Sequence, residues 1–354
     1  SNNYDVIEKY YVGPKNIDYN FTDSKNLVLI YVESLENIFS DKTVFGENLL
    51  SEFYSQPYNK IEFKNLKQTI LTNWTIASIV ASQCGLPLKN VGIFSFGKNK
   101  GKHQRQVFGM KKFLPNAFCL GEVLKIGNYK NVFISSPNVN FSGTGNFFKT
   151  HGYDEVYGKE EYDSLGYLYE GSSWGNGPND SFLFNFSIDR IDKLINKEKF
   201  NITILTTDTH EPKGFLDPNC KHKEHNLNNV IKCTSEELFK FVKYIDTNYG
   251  DKINIVIFGD HQFRFKNNRE IFKDKERSIF NRFISNEDKK IYRNTINYYD
   301  LFPTIVDFID VKFNDKRLGI GVSGFKEVDN DIYLKRFNQI EENVLNRSNF
   351  YELF

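Results

Sequence analysis

No stretch of this 354-residue chain approaches the roughly eighteen consecutive apolar residues of a membrane-spanning helix, and its first residues do not read as a signal peptide. A surplus of one charge is missing as well. The 46 Lys and Arg stand against 45 Asp and Glu, leaving +1, and without a long basic run nothing attracts a nucleic-acid partner in bulk. Cysteine is scarce, with four residues and no C-x-x-C spacing, so neither a zinc finger nor a dithiol redox motif is supported. No segment repeats at a fixed period, which argues against a solenoid. Methionine occurs once, whereas 34 Phe and 20 Tyr supply ample bulk for a core. The length suits one large α/β domain or two small ones.

What is present begins with short, almost continuously apolar and β-branched runs. Asn26 to Val32 ends in Glu33-Ser34-Leu35-Glu36, and Ile253 to Phe258 ends in Gly259-Asp260-His261-Gln262. Both read as buried parallel strands releasing polar residues at their carboxyl edge, where open α/β sheets bind ligands. Further strands at 131–135 and 201–206 alternate with helices near 46–55, from Thr75, at 180–196 and at 235–247. That alternation predicts a mostly parallel sheet covered by helices on both faces. An edge strand around 277–285 precedes another helix within 292–310, and glycine-rich stretches at 92–101, 142–146 and 171–178 read as loops. Residues 1–23 read as a linker-like segment wrapping the surface, 24–325 as the main domain, and 326–354 as a small helical appendage with Tyr333, Phe337, Ile340 and Val344 as its apolar stripe.

Thr75 opens the run Thr75-Ile76-Ala77-Ser78-Ile79-Val80-Ala81-Ser82-Gln83-Cys84-Gly85-Leu86-Pro87-Leu88. At a helix start its hydroxyl sits where unpaired N–H groups and the dipole favour an anion; the same position suits an ordinary N-cap. Glu33, Asp260 and His261 offer two carboxylates and an imidazole, a donor set suited to Zn2+ or Mn2+. The alternative for such strand-end acids is capping of the next helix.

The order strand-Glu33, helix-start Thr75, strand-Gly259-Asp260-His261 and Tyr299-Asp300-Leu301-Phe302-Pro303-Thr304 resembles the alkaline phosphatase and sulfatase superfamily. Within it, the 81–88 block, Phe141-Ser142-Gly143-Thr144-Gly145-Asn146, Thr150-His151-Gly152-Tyr153-Asp154 and Thr207-Asp208-Thr209-His210-Glu211-Pro212 resemble the phosphoglycerol transferases of periplasmic glucans and, more distantly, lipoteichoic acid synthases. The resemblance implies an alkaline phosphatase-like fold and one divalent cation, Mn2+ or Zn2+, held by Glu33, Thr75, Asp260 and His261. It further implies that Thr75 acts as nucleophile and that His210 contacts the substrate and assists the leaving group. The implied activity moves sn-glycerol phosphate from phosphatidylglycerol to a cell-envelope glycan through a threonyl intermediate, on the periplasmic or extracellular side of a membrane. Phosphoethanolamine transfer, phosphodiester hydrolysis and an inactive glycan-binding domain are the alternatives. Ser1-Asn2 then reads as a cleavage scar, with the membrane anchor expected in a longer parent.

One departure concerns the phosphate clamp. Lipoteichoic acid synthases carry a Trp and an Arg upstream of their Gly-Tyr-Asp where this chain has Ser142 and Thr144, so Thr144, Asn146 or Lys149 is expected to hold the phosphate instead. Among the other histidines, His151 reads as structural, His103 with Lys98, Lys100, Lys102 and Arg105 as a solvated face, and His222 with His225 as a possible second metal pair. Export suggests disulfides Cys84–Cys119 and Cys220–Cys233, free buried thiols being the alternative.

Overall fold

The computed structural model describes residues 4–89, 112–140, 143–266 and 270–354. The glycine-rich stretch 92–101 and the basic group around His103 lie outside them. A six-stranded sheet forms the centre. Its strands are β1 (Asn26–Val32), β2 (Lys130–Ser135), β3 (Glu155–Tyr157), β4 (Phe200–Leu205), β5 (Ile253–Gly259) and β6 (Asn281–Ile284). They lie in the order β3-β2-β4-β1-β5-β6, all parallel except β6, which pairs antiparallel with β5.

Strand residues alternate between two cores, as a sheet buried on both faces requires. Leu27, Leu29 and Tyr31 join one cluster with Ile76, Ile79 and Val80 of α1 (Thr75–Cys84), and with residues of α2 (Leu120–Ile126) and α3 (Thr144–Thr150). Val28, Ile30 and Val32 join the other, against α4 (Asp180–Leu194) and α5 (Leu227–Tyr249). Helix α6 (Tyr298–Phe308) packs on α1. Asp300, from the Asp-Leu-Phe-Pro-Thr segment, caps α6 and accepts hydrogen bonds from the Val322 amide at 2.8 Å and the Tyr333 hydroxyl at 2.5 Å. Tyr333 belongs to α7 (Asn330–Asn343).

Three local expectations change. The helix near 46–55 is absent: Gly46, at φ +81°, ends a four-residue helix Lys42–Phe45, and Ser51–Tyr54 is a single 3-10 turn. Residues 142–146 are not wholly a loop, because α3 begins at Thr144 behind the left-handed Gly143. The helix expected at 235–247 starts earlier, at Leu227, where the Asn226 side chain accepts the Asn229 N–H at 2.9 Å.

Residues 4–23 are bound to the body. Val6 and Ile7 of the short helix Val6–Tyr10 are buried in the first core, Val12 pairs with Gly319, and Tyr19–Asn20 pairs with Lys312–Phe313. Disulfides join Cys84 at the end of α1 to Cys119, the N-cap of α2, and Cys220 to Cys233 within α5. No helix among the described residues is long and apolar enough to cross a membrane.

Candidate active site

The chain leaves β1 through Glu33 and Ser34. Ser34 adopts φ +56°, a left-handed conformation that a non-glycine residue keeps only where its surroundings over-determine it. Here they do. Its N–H donates to Asp260 Oδ1 at 2.8 Å and its hydroxyl to Glu33 Oε1 at 3.0 Å. Gly259 closes β5 so tightly that a Cβ there would sit 2.0 Å from the Leu35 carbonyl oxygen. Only glycine permits that approach, and it sets Asp260 beside Glu33. The exit of β4 joins them: Glu33 N–H donates to Thr206 Oγ1 at 3.2 Å, and Thr209 Oγ1 donates to the Glu33 carbonyl.

Helix α1 supplies the fourth group. Its residues from Ile76 to Cys84, mostly small or apolar, are all buried, and Gly85, left-handed at φ +63°, ends it by donating its N–H to the Ala81 carbonyl at 2.8 Å. A Cβ on Gly85 would meet Leu318 O at 2.8 Å and Gly319 Cα at 2.9 Å. Thr75 is the first helical residue, and Trp74 occupies the N-cap without a capping side chain. Thr75 is therefore not an N-cap. Its half-buried hydroxyl donates towards Asp260 Oδ2 at 2.7 Å and Glu33 Oε2 at 3.3 Å. His261 Nε2 lies 3.1 Å from Glu33 Oε1 and 3.5 Å from Asp260 Oδ2. Ligand atoms of Glu33, Asp260 and His261 all fall within 4.8 Å of one another, and all three residues are buried.

The electrostatics of this cluster are unbalanced. Burial followed by repulsion from Glu33 raises Asp260 to about 7. Burial alone would raise Glu33 too, but the facing His261 outweighs it and holds Glu33 down to about 2. Burial works against the His261 cation, yet the two carboxylates lift it to about 9. The Thr75 hydroxyl carries one hydrogen and faces two carboxylate oxygens, so acceptors outnumber donors. His261 Nδ1 lies 2.7 Å from the Gln262 carbonyl, which fixes a hydrogen on Nδ1 and makes Nε2, once its own proton has left, the nitrogen that would meet a cation. Two carboxylates, an imidazole and a hydroxyl with spare lone pairs fit a divalent metal.

His210 follows β4 on the same edge. Its Nδ1 donates to the Glu211 carbonyl at 2.8 Å, and its charge contributes to the lowering of Glu33. The ring stacks on Trp174, with centroids 5.2 Å apart and planes at 18°. Trp174 was not singled out from sequence; its one signal was an aromatic residue inside the glycine-rich 171–178 loop. Ser173 Oγ holds that loop 2.7 Å from Thr207 Oγ1. Arg264 was missed as well. It donates to the Asn73 carbonyl at 3.0 Å and to Glu211 Oε1 at 3.2 Å, linking the segments of Thr75 and His210. Thr144 and Asn146 stand in the first turn of α3, which follows β2; β4 separates β2 from β1. Lys149 is exposed in the last turn of α3.

The remaining histidines stand elsewhere. His151 is fully buried, with Nδ1 2.7 Å from Glu122 Oε1 and Nε2 2.6 Å from the Phe113 carbonyl. His222 bonds Glu236 at 3.0 Å and His225 the Gly214 carbonyl at 3.0 Å, so the two rings serve different partners and do not converge.

Residues 25–311 match the sulfatase family model. The chain belongs to the sulfatase family. Phosphoglycerol transferase I of Escherichia coli O127:H6 is 29% identical over 315 residues, 84% of this chain and 38% of the relative. The chain thus spans little more than a third of the length of the curated relatives it matches. The lipoteichoic acid synthase LtaP of Listeria monocytogenes superposes with TM-score 0.64 at 14% identity, covering 96% of this chain and 95% of that one. The phosphoglycerol transferase GacH of Streptococcus pyogenes, solved with sn-glycerol-1-phosphate, superposes with TM-score 0.54 at 14% identity, covering 96% and 89%. These structural likenesses bear on the fold alone, which is alkaline phosphatase-like.

Proposed function

We propose that residues 24–325 form the catalytic domain of a membrane-anchored phosphoglycerol transferase. It takes sn-glycerol phosphate from phosphatidylglycerol and passes it to a cell-envelope glycan outside the cytoplasmic membrane. The carrying observation is the Thr75 hydroxyl at a helix N-terminus, 2.7 Å from Asp260 Oδ2 and 3.3 Å from Glu33 Oε2. The likeness to phosphoglycerol transferase I supports the substrate class.

Glu33, Thr75, Asp260 and His261 would hold one divalent cation, Mn2+ or Zn2+. When bound, that cation lowers the pKa of the hydroxyl and offsets phosphoryl charge. Thr75 Oγ attacks phosphorus and gives up its proton, the bond from phosphorus to the diacylglycerol oxygen breaks, and that oxygen takes up one proton in exchange. His210, whose Nδ1–H is held by the Glu211 carbonyl, delivers this proton from Nε2, and Nε2 takes up in turn the proton that Thr75 releases. The N–H groups opening α1 face the anion. Glycerol phosphate then sits on Thr75. A glycan hydroxyl attacks the same phosphorus, the bond to Thr75 Oγ breaks, and the proton of the acceptor returns the threonine hydroxyl. Splitting the exchange in two keeps each displacement accessible. Thr144 and Asn146, in the first turn of α3, contact the phosphate side of the substrate in this reading.

Mass spectrometry of the Thr75 peptide after incubation with phosphatidylglycerol tests this reading. A glycerophosphoryl adduct is expected, with none on phosphatidylethanolamine. Thr75→Ala should abolish turnover and keep metal. Cleavage by Thr75→Ala at a near wild-type rate would instead identify a hydrolase.

A further inference from the structure

Three hydroxyl residues of α1, Thr75, Ser78 and Ser82, stand three and four positions apart and so share one side of the helix. Thr75 reaches Glu33 and Asp260 with its hydroxyl, whereas Ser78 and Ser82 are fully buried. Ser78 Oγ donates to the Thr75 carbonyl at 3.0 Å, and Ser82 Oγ to the Ser78 carbonyl at 2.7 Å. With its one hydrogen spent there, Ser82 can only accept in its 2.7 Å contact with the Tyr31 hydroxyl. Tyr31 therefore donates to Ser82 and accepts the Gln83 side-chain amide at 3.0 Å. The hydrogens all run one way, from Gln83 through Tyr31 and Ser82 to the first turn of α1.

Tyr31 lies on β1 two residues before Glu33, and the period of two in a strand sends both side chains towards α1. Its ring meets Phe258 edge to face, with centroids 4.7 Å apart and planes at 75°. Phe258, on β5, lies two residues before Asp260. One buried phenol thus touches both strands that lead to the carboxylates and the helix that carries the nucleophile. Burial pushes its pKa up, so it stays a hydrogen donor.

Apolar packing is non-directional and tolerates small slides of a helix over a sheet, whereas a hydrogen bond weakens steeply as its angle and length depart from the optimum. Ser82 stands about two turns, or about 10 Å, from Thr75 along one stiff helix, so holding the one in place holds the other. We propose that Tyr31 is a positioning residue, which through Ser82 fixes α1 on β1 and thereby sets Thr75 Oγ against Glu33 and Asp260. Its part in turnover rests on the transferase reading; its hold on Thr75 rests on this bond alone.

Crystal structures of metal-free wild type and Tyr31→Phe, together with the kinetics of both, test it. Loss of the phenol hydroxyl should lengthen the 2.7 Å contact of Thr75 Oγ with Asp260 Oδ2. It should also slow glycerophosphorylation of Thr75 by roughly ten- to a hundredfold, with donor KM and metal content unchanged. Ser82→Ala should act alike, and the double variant should be no slower than either single one, because both break the same bond. Tyr162→Phe is the control for stability. Tyr162, fully buried in the second core, donates to the Ser135 carbonyl at 2.7 Å, and its loss should lower the denaturation midpoint without slowing transfer. An unmoved Thr75 in Tyr31→Phe, a wild-type rate of transfer in that variant, additive losses in the double variant, or equal slowing by Tyr162→Phe would each overturn the proposal. If Thr75 moves in Tyr31→Phe but the wild type never acquires glycerol phosphate, the transferase reading fails and the positioning role stands.

Discussion

Two buried pairs of carboxylates stand at the carboxyl edge of the same sheet, and their hydrogen bonds set them apart. Asp180 Oδ1 accepts the N–H groups of Thr207 and Asp208 at 2.9 and 3.2 Å, while Asp208 accepts the Asp180 N–H at 3.0 Å and the Asn179 amide at 2.9 Å. That pair ties α4 to the β4 exit and is largely served by rigid backbone donors. In the Glu33 and Asp260 pair one backbone N–H, that of Ser34, serves the side-chain oxygens; the other donors are two hydroxyls and an imidazole. A carboxylate fed by backbone N–H groups is a structural clamp. One left to movable protons is ready to exchange them for a cation.

Exchanging the roles of the two pairs is the strongest way to break this contrast. Asp260→Ala or His261→Ala should remove bound metal and essentially all turnover with the fold near intact, as read by elemental analysis and circular dichroism. Asp180→Ala should do the reverse. Leaving the Thr207 and Asp208 N–H groups unserved costs about 1–3 kcal/mol for each orphaned donor, so its denaturation midpoint should fall while metal content persists. Full metal occupancy in Asp260→Ala would end the assignment.

His210→Ala should slow turnover by roughly 10²–10⁴-fold, as loss of an acid–base group does, without moving metal content. A drop in metal affinity of similar size would instead place His210 among the ligands.

Proton linkage sharpens the comparison further. The metal-free cluster holds protons on Asp260, near 7, and His261, near 9. Both must leave for a cation, so metal affinity should rise from pH 6 to pH 9, with protons released in calorimetry. Asp180, raised to about 7 by burial, and Asp208, raised well above its usual range by burial and Asp180, favour protonation in the folded state. Their contribution is fully present below the unfolded carboxylate pKa of about 3.9 and is lost as pH rises through the folded values. With metal saturating, stability should therefore decline between pH 5 and pH 8, and Asp208→Asn should flatten the decline.

The smallest effect expected concerns covalent ties. Replacing the Cys84–Cys119 pair by alanine should cost about 2–4 kcal/mol in denaturant unfolding, and more at α1 than at α4 in hydrogen exchange.

The strands were legible because continuous β-branched runs such as Leu27 to Val32 have few other homes, and Glu33, Asp260 and His261 because they interrupt such runs at their ends. Thr75 was legible from the small residues that follow it. Trp174 and Arg264 were not, since each lies in a loop whose course depends on distant partners, Thr207 for one and Asn73 with Glu211 for the other. The 46–55 segment misled because Leu49, Leu50 and Phe53 are buried by a folded-over loop and a 3-10 turn, which imitate a helical stripe. Gly152-Tyr153-Asp154 carried part of the family resemblance, and its Tyr153 OH is buried among Gln83, Asn201 and Thr203, beneath α1.

The pairing of Val12 with Gly319, and of the Val6–Tyr10 helix with α7 through Arg336 and the Tyr10 carbonyl at 3.1 Å, bears on the order of folding. Val12 waits for a partner made some three hundred positions later, because Val12 and Gly319 are that far apart in sequence. Val6 and Ile7 stay uncovered until then. Sheet pairing can begin between β2 and β3, β1 joins once β4 is available, and the seam between the Val6–Val12 segment and α7 closes only after α7 has formed.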